Sequence, residues 1–261
     1  MCWREVHLVH YPFLVTRLDQ ALVERGLCES REKAKRAVLA GQVRVNQQPA
    51  RKPSDSIKAT DDVVLVAPEK FVSRGGLKLD HALDHFRLEV AGQTAIDLGA
   101  STGGFTDCLL QRGAAKVYAV DVGKGQPAWK LRRDPRVVVM EKTNARELTR
   151  AKFPPPFVPA DLVVIDCSFI SLRKILPAAV ALLRVSGRIL ALVKPQFEAG
   201  KAEADKGAGV IRDAAIHERV LRELNEFVAG MPSLRWVGAT RSPILGPAGN
   251  TEFLVLIEHV G

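Results

Sequence analysis

Cysteine is scarce. The four residues, Cys2, Cys28, Cys108 and Cys167, are scattered through 261 positions with no CxxC pair and no Cys/His cluster. That argues against a zinc site and a disulfide framework, and reduced thiols in a cytosol are expected. Long apolar runs are missing too. The longest candidate, Ile175 to Val193, is interrupted by Arg184 and Arg188, and Ser186-Gly187 breaks it into a helix and a strand. No membrane span is expected from it. The opening Met1-Cys2-Trp3-Arg4-Glu5-Val6-His7 carries charge where an export signal needs an unbroken apolar core, so a cytoplasmic location is expected. There is no internal repeat and no low-complexity tract. A composition of 47% hydrophobic and 26% charged residues is that of a globular chain and disfavours disorder or a collagen-like fibre. Acid is the charge in short supply: 38 Lys and Arg stand against 29 Asp and Glu, a net +9. Such a surplus suits a polyanionic partner, either nucleic acid or an anionic membrane surface.

The length accommodates a small domain joined to a large one. Residues 15–66 form the first. Leu18, Leu22 and Val23 recur at helical spacing until Gly26, and Ser30 caps a second helix over 31–40 that closes at Gly41. Val43 to Asn46 alternates like a half-buried strand, a Gln-Gln-Pro turn follows, and Val63 to Val66 is a further strand. Between Ser30 and Lys52 lie seven basic residues and one acid, Glu32. A helix and ribbon charged in this way can track a phosphate backbone, or can simply present a solvated face. The order Thr16-Arg17-Leu18-Asp19, Ser30-Arg31-Glu32-Lys33-Ala34 and Ala40 to Asn46 resembles the small RNA-binding module named after ribosomal small-subunit protein four. That resemblance implies RNA contacts from Arg17, Arg31, Lys33, Lys35, Arg36 and Arg44.

Residues 67–72 read as a linker, and from 73 to 261 strand and helix patterns alternate. Strands are expected at 94–100, 116–122, 137–141, 162–167, 188–194, 235–240 and 253–258. Helices fall between most of them, among them 104–112, 172–184 and 214–229. Val- and Ile-rich strands separated by helices predict an α/β fold with a seven-stranded, mostly parallel sheet. The last two strands are joined by a Pro/Gly loop without a helix, so the final strand is expected to run antiparallel.

The first strand ends in Asp97-Leu98-Gly99-Ala100-Ser101-Thr102-Gly103-Gly104-Phe105, at the turn where a doubly wound sheet binds its ligand. The spacing is not the GxGxxG of a dinucleotide site. An acid at the strand end suits a ligand with an amino group and a positive centre better than a pyrophosphate. Asp121, 24 residues on at the end of the second strand, can accept both ribose hydroxyls of an adenosine. Together these features resemble the S-adenosylmethionine site of class I (Rossmann-like) methyltransferases. Asp97, Gly99, Ala100, Ser101, Gly103, Gly104, Phe105 and Asp121 are the expected cofactor contacts, and Asn144 is placed for the adenine.

The fourth strand ends in Asp166-Cys167-Ser168-Phe169, without the Pro-Pro of amino-group methyltransferases, which disfavours base N-methylation. Cys167 offers a thiolate for carbon-5 chemistry or plain packing. RNA enzymes of that type carry a second Cys where this chain has Lys194-Pro195. Lys194 ends an apolar strand, either snorkelling at a sheet edge or poised as a base, with Asp166 one strand over to hold it.

Ser73-Arg74-Gly75-Gly76-Leu77-Lys78-Leu79, the 97–105 loop, Asp166 to Ser171, Lys194-Pro195-Gln196-Phe197-Glu198 and Gly246 to Glu252 follow in order. They resemble the TlyA (haemolysin A) family over about residues 15–259. This family joins the small RNA-binding module to an FtsJ-like ribose methyltransferase domain. The resemblance implies 2′-O-methylation of cytidine in ribosomal RNA, free or within ribosomal subunits, by a tetrad of Lys78, Asp166, Lys194 and Glu252. Lys194 would take the 2′-hydroxyl proton, Asp166 would orient it, and Lys78 and Glu252 would fix the ribose. Glu198 to Arg212 is expected to form a mobile flap, while residues 1–14 have no counterpart in the shared pattern. Two other readings compete. A silent RNA-binding or ribosome assembly factor conflicts with the complete tetrad. Membrane lysis, suggested by the family name, lacks an amphipathic or apolar segment to carry it.

Overall fold

The computed structural model describes residues 15–66 and 70–261, which fall into two compact units divided at residues 69 and 70. The 1–14 extension and residues 67–69 of the expected linker lie outside the described residues. Within that linker, Phe71 and Val72 are built into the second unit: Phe71 is buried, and the Val72 amide donates to Asp107.

In the first unit, β1 (Val15–Arg17) pairs antiparallel with β4 (Ser56–Lys58). Helix α1 (Leu18–Glu24) and helix α2 (Arg31–Leu39) close over them, and Leu18, Leu22, Ala34, Val38, Val43 and Ile57 meet in one core. Ser30 caps α2 by accepting the Lys33 amide at 3.3 Å. A small antiparallel sheet joins β3 (Gln48–Pro49), β2 (Val43–Val45) and β5 (Val63–Leu65) in that order. The turn is one residue earlier than the sequence pattern suggested. Asn46 and Gln47 both have positive φ, the signature of a two-residue hairpin, and Gln48-Pro49 already belongs to the return strand.

The second unit begins with α3 (Gly75–His85) and β6 (Thr94–Leu98). Helix α4 (Gly104–Gln111) leads to β7 (Lys116–Val120), and the short α5 (Trp129–Arg132) to β8 (Val137–Met140). Then come β9 (Ala160–Ile165), α6 (Leu176–Leu182) and β10 (Leu183–Val193). Helices α7 (Pro195–Glu198), α8 (Lys201–Lys206) and α9 (Ala214–Ala229) precede β11 (Leu234–Arg241) and β12 (Phe253–His259). The sheet order is β11-β12-β10-β9-β6-β7-β8. Every pairing is parallel except those of β12, which runs antiparallel to both β10 and β11. Burial on both faces explains the apolar strands, since one hydrophobic cluster lies on each side of the sheet.

The largest boundary differences from the expectation lie at α6 and β10. Helix α6 stops at Leu182, and β10 already begins at Leu183, paired with Ala160. The Ser186-Gly187 break is therefore an irregularity inside a strand, with Ser186 at φ +63 and the register shifting between Leu183 and Arg188. The expected flap over 198–212 contains α8 and the turn that follows it.

Candidate active site

Strand order reverses between β6 and β9, the position where an open α/β sheet leaves a crevice beyond its carboxyl ends. The glycine turn after β6 forms one wall. The Gly99 and Ala100 amides both donate to the Val120 carbonyl, at 2.9 and 3.1 Å, fastening the turn to β7. Gly99 has φ +86, and a Cβ there would lie 2.7 Å from the Asp166 carbonyl oxygen, so only glycine allows β6 and β9 to approach this closely. Gly103, at φ +95, caps α4, and Gly104 opens that helix against Ser73 and Gly76. Ser101 is exposed at the tip of the turn, whereas Ala100 is buried. Phe105, only 3% exposed, packs in the apolar cluster beneath the turn.

Three carboxylates gather around this turn. Asp97 is fully buried; one oxygen accepts the Thr106 hydroxyl at 2.7 Å, and the other has no hydrogen-bond partner. Burial, reinforced by Asp166 and Asp121, pushes the Asp97 carboxyl up to about 7, against the opposing hydrogen bond from Thr106. Asp121 is braced by the amides of Ser101 and Gly123, at 2.8 and 2.7 Å, which fixes its carboxylate at the end of β7. Asp166 follows β9, its amide donating to the Leu98 carbonyl. This donor set repels a phosphate and fits a cation that also carries hydroxyl groups to hold. An orphaned buried oxygen, a braced acid and close-packed glycines together fit S-adenosylmethionine.

Sheet register brings the remaining residues to the same end. Val193 pairs with Phe253 across β10 and β12, so the next residues, Lys194 and Glu252, leave the sheet side by side. Lys194 Nζ contacts Asp166 Oδ1 at 2.7 Å, as an ion contact not aligned as a hydrogen bond, and donates to Ser168 Oγ at 2.7 Å. Lys78, from α3, donates to Glu252 Oε2 at 2.5 Å, and the second Glu252 oxygen has no hydrogen-bond partner. Lys78, Lys194 and Glu252 are all buried. Buried ion pairs add little to stability, so one such pair beside a second, partly buried one at a ligand-binding edge points to chemistry. Gly75, at the start of α3, lies close to this group, since a Cβ there would stand 3.9 Å from Asp166 Oδ2. Beside the pairs lies a cleft of about 310 Å³ lined by Arg146, Phe169, Ile170, Ser171, Lys174 and Phe197. Phe169 is 90% exposed, at φ +63, with its ring centroid 5.1 Å from that of Phe197.

Other expected residues are engaged differently. Cys167 donates to the Leu98 carbonyl, and burial, with Asp166 and Asp97 nearby, pushes its thiol up to about 12, which opposes a thiolate route. Asn144 caps the turn that follows it, accepting the Arg146 amide and donating to Glu147. In the first unit, Arg17 and Arg31 both bind the buried Asp19, Lys33 pairs with Glu29, and Lys35 pairs with Glu32. Arg36 and Arg44 are exposed and make no hydrogen bond or ion pair with their side chains among the described residues. Ser168 and the Phe169–Phe197 cleft were not among the expected site residues, although each lies within or beside a motif that was. No group of His, Cys, Asp and Glu among the described residues could hold a metal ion.

Comparison with known proteins agrees with this geometry. Residues 71–259 match the FtsJ-like methyltransferase family, and residues 16–64 match the S4 domain. YqxC of Bacillus subtilis, described as an rRNA methyltransferase, is 49% identical over 246 residues, covering 94% of this chain and 86% of that protein. The 16S/23S rRNA (cytidine-2′-O)-methyltransferase TlyA of Mycobacterium tuberculosis is 46% identical over 252 residues, covering 93% and 89%. A solved structure described as a hemolysin from Streptococcus thermophilus superposes with TM-score 0.71 at 44% identity, covering 94% of this chain and 88% of that one. The chain is therefore a methyltransferase, belonging to the TlyA (hemolysin A) family of FtsJ-like enzymes that carry an N-terminal S4 domain.

Proposed function

We propose that this protein methylates the 2′-oxygen of a ribose in ribosomal RNA, with cytidine as the target, using S-adenosylmethionine. The observation that carries this reading is the convergence of Lys78–Glu252 and Lys194–Asp166 at the crevice beside the glycine turn. The names of the Mycobacterium tuberculosis and Campylobacter jejuni relatives, both cytidine-2′-O-methyltransferases, support the choice of nucleotide. When bound, the cofactor supplies a methyl group on a positively charged sulfur. Asp97, Asp121 and the backbone of residues 99–104 hold it. Lys194 is the group placed to take the 2′-hydroxyl proton as the ribose oxygen attacks, while Asp166 and Ser168 keep its Nζ on target. Lys78 and Glu252 fix the ribose, and positioning supplies much of the rate. The aromatic cleft, with Arg146 and Lys174 at its rim, has the character needed to receive a nucleotide drawn out of its stack.

Residues 15–66 serve as the RNA-docking domain in this reading, and 73–261 as the catalytic domain. Arg36 and Arg44 are free to meet phosphates, whereas Arg17, Arg31, Lys33 and Lys35 first have to share their acids. A role on ribosomal RNA supports a cytoplasmic location. No helix among the described residues is long and apolar enough to cross a membrane. Lys194→Ala tests the base assignment: methyl transfer is expected to fall about 10²- to 10⁴-fold while cofactor still binds. Full activity in that variant would remove Lys194 from the chemistry.

A further inference from the structure

Asn250 is 1% exposed, sits two residues before Glu252, and uses its whole side chain on a distant segment. Its Oδ1 accepts the Ile211 amide at 2.9 Å, and its Nδ2 donates to the Gly209 carbonyl at 2.8 Å. The Ile211 carbonyl is in turn 3.0 Å from His217 Nε2 on α9, and the His217 ring meets Phe253, the first residue of β12, edge-on at 5.5 Å. Both backbone polar groups of Ile211 are thus held by buried side chains. The segment needs such anchors, since Ala208 and Gly209 are consecutive residues at positive φ. Its other end is also tied down. Glu198 accepts the Ser171 hydroxyl and the Leu172 amide, both at 2.7 Å, in the loop that follows Asp166.

The segment from Pro195 to Ile211 therefore bridges the loop that carries Asp166 to the loop that carries Glu252. Glu252 needs that support. Its backbone enters β12 from a glycine- and proline-rich loop, and Gly246 lies so close that a Cβ there would fall 2.5 Å from Glu252 Oε1. We propose that Asn250 is a positioning residue for methyl transfer, which through Ile211 and Gly209 sets the Glu252 carboxylate and its partner Lys78 against Lys194. This inference rests on the reading of Glu252 as part of the catalytic set.

Asn250→Asp is the test, in the full chain. The substitution keeps the shape and the acceptor for Ile211 but sets a carboxylate against the Gly209 carbonyl. kcat for transfer to rRNA is expected to fall about 10- to 100-fold, as for a group displaced by about 1 Å. KM for RNA and Kd for S-adenosylmethionine should stay within about twofold, because neither is bound by Asn250. Hydrogen exchange should quicken together in 207–212 and 242–252. In a Glu252→Gln background the same change should add little further loss, since the two residues act as one unit. His217→Leu, which frees the Ile211 carbonyl, should give the same signature more weakly and serves if Asn250→Asp does not fold. An unchanged kcat, a joint fall of kcat, affinities and melting temperature, or a fully additive loss with Glu252→Gln would overturn the proposal. Should the unaltered protein transfer no methyl to rRNA, the functional reading fails, while the exchange experiment still judges the clamp: independent loosening of the two segments refutes it.

Discussion

Asp19 and Asp97 are both sealed from solvent, one in each unit, and they resolve burial in opposite ways. Asp19 receives Arg17 and Arg31, and these hydrogen bonds, led by that of Arg17, pull its carboxyl down to about 2. Asp97 has Thr106 alone to offset its burial and no cation beside it, so burial wins and its carboxyl rises to about 7. The contrast separates structure from readiness. The RNA-binding unit uses an acid to organise two arginines at its surface. The catalytic unit leaves an oxygen unsatisfied beneath its glycine turn, a cost that makes sense where a positively charged ligand completes the site.

Two substitutions sharpen this contrast. The larger effect is expected for Asp97→Asn. Asp97 keeps its proton to about pH 7, whereas the unfolded chain releases it near pH 4. Its contribution to stability is therefore complete below about pH 4 and is lost as pH rises toward 7, on the order of 4 kcal/mol across that window. Urea unfolding of the Asp97→Asn variant between those limits should show the slope flattened by that amount, and a slope equal to the original would break the comparison. Asp19→Asn works with the opposite sign. The depressed carboxyl stabilises the fold above about pH 4 and loses its effect as pH falls through about 2. Removing the charge should cost about 1 to 2 kcal/mol at neutral pH, discounted because both arginines are half exposed. The acid-side fall in stability should shrink with it, and an unaltered urea midpoint would show that the arginines never depended on Asp19.

Much of the catalytic unit was legible because its signals are local. Valine and isoleucine runs marked the strands, Asp97 and Asp121 marked the first two carboxyl ends, and the helix-free loop before Phe253 gave the antiparallel last strand. What could not be read was pairing. Arg17 and Arg31 look in sequence like free cations, and only the fold brings Asp19 between them. Lys33 has Glu29 one turn away, just outside the basic stretch as it was counted. Phe105 sits in the glycine-turn motif, and only the fold shows that its ring is buried in the core. The segment after Glu198 reads as a flexible tract from its glycines and charges; what ties its far end comes from Asn250 and His217, which lie 39 and 6 residues from Ile211. Tertiary hydrogen bonds of the longer range leave no trace in spacing.

The central claim is ribose 2′-O-methylation in ribosomal RNA, and the most direct measurement follows labelled methyl from S-adenosylmethionine into purified ribosomal subunits and bare rRNA, with the modified nucleoside identified by mass spectrometry. The expected product is 2′-O-methylcytidine, formed about 10²- to 10⁴-fold more slowly when Lys194→Ala protein is used. A base-methylated nucleoside, or no transfer to any of these RNAs despite measurable cofactor binding, would contradict it.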